Sequence, residues 1–142
     1  MTDSRVATFW VDDLHLGVDI LRIQEVLHDQ RVAFVPLAHP AVRGLLNLRG
    51  QIATAVDARR RLGLAEQDPD VHGVHVIATS RGELMSLVVD REGDVIDLDG
   101  QASEVPQTVD AQIRSQVTGV HRVAGSLLLM VDLDRMLSTA AG

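Results

Sequence analysis

The chain has 142 residues, no cysteine and a formal net charge of −7. Such a length suits one compact domain that buries about two-thirds of its unfolded surface unaided, and the lack of cysteine removes disulfide frameworks, cysteine-ligated zinc and thiol nucleophiles. The negative charge argues against nucleic-acid binding, which draws its affinity from clustered Lys and Arg; the one basic cluster, Arg59-Arg60-Arg61, stands alone, and Phe9, Trp10 and Phe34 offer little for stacking single-stranded bases.

Asp3, Asp12, Asp13 and Asp19 are among the aspartates that interrupt the first thirty residues, and no apolar run is long enough for a secretory or transmembrane segment. A soluble, unexported protein is expected. Strands are predicted near Val6 to Val11 and Leu16 to Ile20, joined by an Asp12-Asp13 turn. The run Leu21 to Leu27 fits either a helical turn or a continuing strand, because its apolar residues satisfy both periods. Val32 to Val35 reads as a strand ended by Pro36, and His39-Pro40 as a turn or short helix leading to Gly44.

A tight hairpin follows: Leu45 to Leu48, a two-residue Arg49-Gly50 loop, then Gln51 to Val56, with glycine supplying the positive φ that such turns require. Asp57 then stands where a strand yields to Ala58 through Leu62, a place suited to an N-capping carboxylate, with Gly63 as the stop. Asp68-Pro69-Asp70 reads as a linker. Beyond it, strands are expected at Val74 to Thr79, Leu84 to Val89 and Val95 to Leu98, and Leu87 to Asp90 faintly echoes Leu16 to Asp19.

The hairpin and its helix then return 75 residues on. Gly44/Gly119, Gly50/Gly125, Val56/Val131, Asp57/Asp132, Arg60/Arg135 and Leu62/Leu137 are identical in six of nineteen paired positions, where composition alone gives roughly one or two. A repeat of this size implies two similar subdomains, about 6–64 and 72–132, with a short helix over about 132–139. The reading is an all-β protein with short helices, each half a small closed barrel of about five strands. The shared residues have architectural explanations, whereas Asn47 and Arg49, matched by Arg122 and Ala124, are private to one copy and mark a surface to examine for a partner.

No catalytic constellation emerges. Of the histidines, only His72 and His75 have a spacing worth weighing as a metal pair; without a third ligand or a helix they read as solvated loop residues. Asp97-Leu98-Asp99-Gly100 lacks the later acidic ligands of a calcium loop, and no phosphate-cradling or nucleophile-elbow motif occurs. No cofactor is expected.

Val35-Pro36 through Leu64, with Asn47-Leu-Arg-Gly50 and then Asp57-x-Arg59, closely resembles the signature of the CheW family of bacterial chemotaxis coupling proteins. The resemblance extends upstream through Gly17 to Glu25 and downstream through Leu87 to Asp90 and Leu127 to Leu137. It implies a single CheW-like domain of two packed five-stranded SH3-like β-barrels, standing alone without kinase, receiver or phosphotransfer regions. The implied role is a non-enzymatic scaffold in the cytoplasm, recruited to membrane-associated receptor arrays without membrane insertion. Its implied partners are the cytoplasmic tips of methyl-accepting chemoreceptors and the regulatory domain of the histidine kinase CheA.

By position, the resemblance nominates Ile23, Glu25, Gly44, Leu48 and Arg49 for a receptor-facing groove between the barrels, with Arg49 able to pair with Glu25. For the kinase face it nominates Val32, Phe34 and Pro36. Thr54 stands where the family usually has Pro, Ala58 where it usually has Leu, and His39-Pro40-Ala41 lacks the common aromatic. These departures imply a retained fold with one altered partner surface, as in a second chemosensory array, not necessarily a flagellar one. The competing classes are a barrel pair that binds a small ligand or peptide as a sensor, and a hydrolase with an unfamiliar acidic site.

Overall fold

The computed structural model describes residues 4–68 and 71–139; Pro69 and Asp70 of the expected linker lie outside the described residues. Its elements run β1 (Ser4–Val11), β2 (Leu14–Asp19), a single 3-10 turn (Ile20–Arg22), β3 (Glu25–His28), β4 (Val42–Leu48), β5 (Gln51–Asp57) and α1 (Ala58–Leu62). After them come β6 (Val74–Ser80), β7 (Glu83–Val89), β8 (Arg91–Leu98), α2 (Ala111–Arg114), β9 (Val117–Val123), β10 (Ser126–Val131) and α3 (Leu133–Met136).

The ambiguous run after Ile20 contains both alternatives in succession, a 3-10 turn capped by the Asp19 carboxylate and then β3. The expected strand over Val32 to Val35 is absent. That segment touches the sheet only where Ala33 bridges Leu45, at a crossing so tight that a Cβ on Gly44 would lie 2.4 Å from the Ala33 carbonyl oxygen. A single crossing satisfies one residue's backbone groups and leaves its neighbours irregular.

Both copies of the hairpin turn as expected: Arg49 and Gly50 have φ of 51° and 88°, and Ala124 and Gly125 have φ of 50° and 82°. Two successive positive φ values define the turn whose twist matches paired strands. Asp57 and Asp132 cap α1 and α3 through the amides of Arg59 and Arg135.

The strands form two five-stranded SH3-like sheets, ordered β8-β1-β2-β10-β9 and β3-β6-β7-β5-β4. Neither ladder closes: β8 does not pair with β9, nor β3 with β4, so the closed barrels expected from the sequence are open, packed sheets. Residues 25–89 make all of the second sheet, whereas the first takes β1 and β2 from the start of the chain and β8 to β10 from its end. The expected division at 6–64 and 72–132 therefore does not coincide with the sheets.

Strand order nonetheless preserves the repeat. The second strand of each repeated hairpin lies parallel to a strand outside it, β5 to the later β7 and β10 to the earlier β2. Thr54 faces Met85, and its repeat mate Leu129 faces Leu16. So β7 and β2 are counterparts, but two residues out of step with the echo seen in the sequence, which set Leu87 against Leu16.

Alternation within strands fills three cores. Phe9, Val11, Leu16 and Val18 from the first sheet meet Val56, Val76, Leu87 and Val89 from the second, together with Leu62, Met136 and Leu137 of the helical segments. The opposite faces fill each sheet's own concavity, with Val6, Leu98 and Leu128 in one and Leu46, Ala53, Ile77 and Val88 in the other. Strands buried on both faces explain the near-continuous aliphatic runs.

Two charged clasps join the sheets at counterpart positions with opposite sign. Arg59 of α1 donates two parallel bonds to Asp90 at 2.9 and 2.7 Å, and also pairs with Asp12 in the β1–β2 turn. Its repeat mate Asp134 in α3 accepts from Arg22 and from Ser80, each at 2.7 Å. Hydrogen bonding to Asp90 holds the Arg59 pKa above its usual value, desolvation notwithstanding. Desolvation pushes Asp90 up, but bonds from Arg59 and the Asp12 amide hold it below the usual carboxylate range. The remaining arginines of the basic cluster are also spent internally: Arg60 reaches the Pro40 carbonyl, and Arg61 bonds the carbonyls of Arg135 and Met136 at the end of α3.

His75 is a buried residue of β6, 1 % exposed, with Nδ1 2.7 Å from the Ser86 hydroxyl. It is not the solvated loop histidine that its sequence neighbourhood suggests. Burial, then the nearby Arg43 and His72 charges, lower its pKa to about 4.

Two stability predictions follow from burial. Arg59→Met strands a mostly buried carboxylate and is expected to cost roughly 3 kcal/mol in urea unfolding, whereas Asp134→Asn, at the more exposed clasp, is expected to cost at most about 1 kcal/mol; equal losses would refute the distinction. His75 binds a proton in the unfolded chain below about pH 6.5 but in the folded chain only near pH 4. Its contribution is thus complete above pH 6.5 and falls away toward pH 4, by about 3 kcal/mol. A His75→Val, Ser86→Ala double variant should flatten stability against pH across that window, measured by urea titration at each pH.

Candidate functional site

Arg49 occupies the left-handed first position of the β4–β5 turn, which points its side chain off the end of the second sheet. There it pairs with Glu25 of β3, its side chain 77 % exposed. Asn47 does not share this outward role: its Oδ1 accepts from the Gly50 amide at 2.9 Å and so braces the turn. The private pair of the sequence thus divides, one residue fixing the hairpin tip and the other reaching from it.

Around the ion pair lies a cleft of about 250 Å³, lined by Gln24, Glu25, Leu48, Arg49, Gln51, Ile77 and Leu84. All these residues belong to or adjoin the second sheet, so the cleft opens at the end of that sheet and not between the two. Gln24 Nε2 donates to Thr79 Oγ1 at 2.8 Å, fixing one wall. Ile52, on the same hairpin, is 57 % exposed.

The five nominated receptor residues are therefore not equivalent. Glu25, Leu48 and Arg49 meet at the cleft, with Leu48 mainly buried in the second sheet's own core. Ile23 packs on the core between the sheets, and Gly44 is buried beneath Ala33. The kinase nominees also separate. Val32 packs inward on the second sheet's core, Phe34 is 80 % exposed, and Pro36 is exposed on the irregular segment.

Leu37, missed in the sequence, is fully exposed beside them with φ of 63°; the unusual backbone angle has no signature in a leucine. Two of the three departures from the family pattern lie in the core, and the third is half-buried. Ala41 and Ala58 are core residues, 4 % and 0 % exposed, and Thr54 sits mid-sheet between β4 and β7. Ala41 and Ala58 thin the interior. Thr54 also keeps an amide that a proline there would lack.

Among the described residues no group of three His, Asp or Glu could hold a metal, and no helix is long and apolar enough to cross a membrane. What the hairpin tip and the 32–37 segment present together is a two-residue turn, a paired but exposed guanidinium, and apolar side chains standing in solvent.

Comparison with known proteins places the chain in a family. The "Chemotaxis protein CheW" of Rhizobium meliloti (strain 1021) is 29 % identical over 127 residues, spanning 89 % of this chain and 82 % of that protein. The protein of the same name in Klebsiella aerogenes is 25 % identical over 132 residues, 92 % of this chain and 80 % of the other. The scaffolding protein TtCheW of Thermoanaerobacter tengcongensis shares the fold with a TM-score of 0.84 at 23 % identity, covering 95 % of this chain and 92 % of that one. The CheW-like domain family matches residues 5–141, and the chain belongs to that family.

Proposed function

We propose that this protein is a non-enzymatic adaptor that couples the cytoplasmic tips of methyl-accepting chemoreceptors to the regulatory domain of CheA in chemotaxis signalling, acting in the cytoplasm at membrane-associated receptor arrays. The observation that carries the proposal is the exposed Arg49–Glu25 pair. Its arginine sits within the segment that most resembles the family signature, at the turn position where Ala124 stands in the other repeat copy.

In this reading the receptor contacts the cleft at Glu25, Leu48 and Arg49, while Ile23 and Gly44 act indirectly, by setting the height of β3 and the path of β4. Arg49 has a forked guanidinium whose further N–H groups can donate to a partner carboxylate or backbone carbonyl. The kinase contacts the exposed apolar rim of the 32–37 segment, where Phe34 and Pro36 need a partner to leave water. Val32 supports that rim from beneath.

Both faces have direct tests. Arg49→Ala is expected to weaken capture of a purified receptor cytoplasmic fragment at least about tenfold, yet to shift stability by less than about 1 kcal/mol because the pair is exposed. Unchanged capture would remove Arg49 from the receptor face. Phe34→Ala is expected to leave the melting temperature unchanged and to reduce affinity for CheA measured by calorimetry; full affinity would remove the kinase assignment.

A further inference from the structure

All 13 basic side chains of the Lys and Arg class are arginines, and most are engaged by carboxylates or carbonyls. Arg5, Arg22, Arg49, Arg59, Arg60 and Arg135 each pair with an Asp or Glu. Arg31 and Arg43 are among the seven arginines for which no such ion pair is made among the described residues. These two line one cleft of about 260 Å³ with Gln30, Val32, His72 and His75. Arg43 spends one bond on the Val71 carbonyl, at 2.6 Å, which anchors its guanidinium at the cleft wall and leaves further N–H groups to donate.

At His75, which lines this cleft, the two sheets differ in polarity. Ladder register makes His75 the counterpart of Val6, and Ser86 the counterpart of Gly17. The first sheet thus fills the place with Val6, 0 % exposed, and the second with a buried His75–Ser86 pair. A buried polar pair contributes less to stability than a well-packed apolar one, so the substitution has a cost that packing does not explain. Positive charge also converges on this point, since Arg43 and His72 both press the His75 pKa downward. A folded chain of net charge −7 holds two arginines together here without a described counter-charge.

We infer that the cleft formed by Arg31, Arg43 and His72 above His75 binds an oxyanion, a carboxylate or phosphate group. The two guanidinium groups supply forked donors that match such a group, and His72 adds a further ring N–H. The group can arrive free in solution or on an acidic peptide segment; the chemistry of recognition is shared. This inference is independent of the adaptor reading, because none of its residues except Val32 is assigned to a partner face.

The test uses the full chain, isotope-labelled, titrated separately with inorganic phosphate and with triglutamate, following amide and imidazole resonances of residues 30–32, 43 and 72–75. Saturable shifts confined to these residues are expected. Arg31→Gln, an exposed change that leaves packing intact, should weaken binding about tenfold, and Arg31→Gln with Arg43→Gln should abolish it. Arg122→Gln, exposed on β9, should change nothing. Saturation by phosphate identifies a free or phosphoryl ligand, and saturation by triglutamate alone identifies an acidic segment. The inference is overturned if neither saturates below about 10 mM, if shifts spread evenly over all arginines, or if the double variant binds as well as the wild type.

Discussion

The structure depends on one burial constraint: the first sheet cannot exist without the second. Its strands β1 and β2 come from the start of the chain and β8 to β10 from its end, and the apolar faces they bury are completed by Val56, Val76, Leu87 and Val89 of the inserted sheet. Removing that common core would expose an aliphatic face on both sheets at once. The sheets therefore form one cooperative unit, although the sequence repeat is arranged as if they were two. The parallel β2–β10 pairing, made between residues more than 110 apart, is the contact that converts a linear repeat into an interleaved one.

Charge enforces the same junction with directionality that apolar packing lacks. At one counterpart position Arg59 grips Asp90 and Asp12, and at the other Asp134 grips Arg22 and Ser80. The reversal of sign prevents either helix from docking productively in the other's place, since Arg59 would face Arg22 and Asp134 would face Asp90. A duplicated fold has an inherent risk of such exchange, and opposed charges at equivalent sites penalise it. The triple arginine that looks in the sequence like a lone basic patch is thus a set of internal fasteners.

Symmetry is broken in places where the repeat's architecture does not require it. At the hairpin tip, the change from Ala124 to Arg49 leaves the backbone unaltered, with φ near 50° in both, and adds a reaching cation. Beneath the β4 edge, the change from Val6 to His75 replaces aliphatic packing by a hydrogen-bonded polar pair. Both lie on the second sheet, and both add polar chemistry to a position whose structural task is met by a simpler residue in the first. The scaffold is duplicated; these polar departures are found on one copy.

Much of this was legible in the sequence by itself. Arg49-Gly50 and Ala124-Gly125 announce their turns because only a few residue pairs tolerate two positive φ angles, and Asp57 and Asp132 announce helix starts because an exposed amide needs an acceptor at fixed spacing. These are short-range constraints, met within a few residues of chain; the Arg49–Glu25 pair, 24 residues apart, was expected only through the family resemblance. Which strand lies beside which was decided only by tertiary structure, because strand periodicity says which side chains share a face and nothing about the neighbour. The open sheets, the loss of the Val32 to Val35 strand to a crossing over Gly44, and the burial of His75 against Ser86 all arise from contacts between distant segments. Local sequence determined the turns, caps and alternating faces; packing of those faces against one another decided their order, and with it which charged residues were left to meet solvent and a partner.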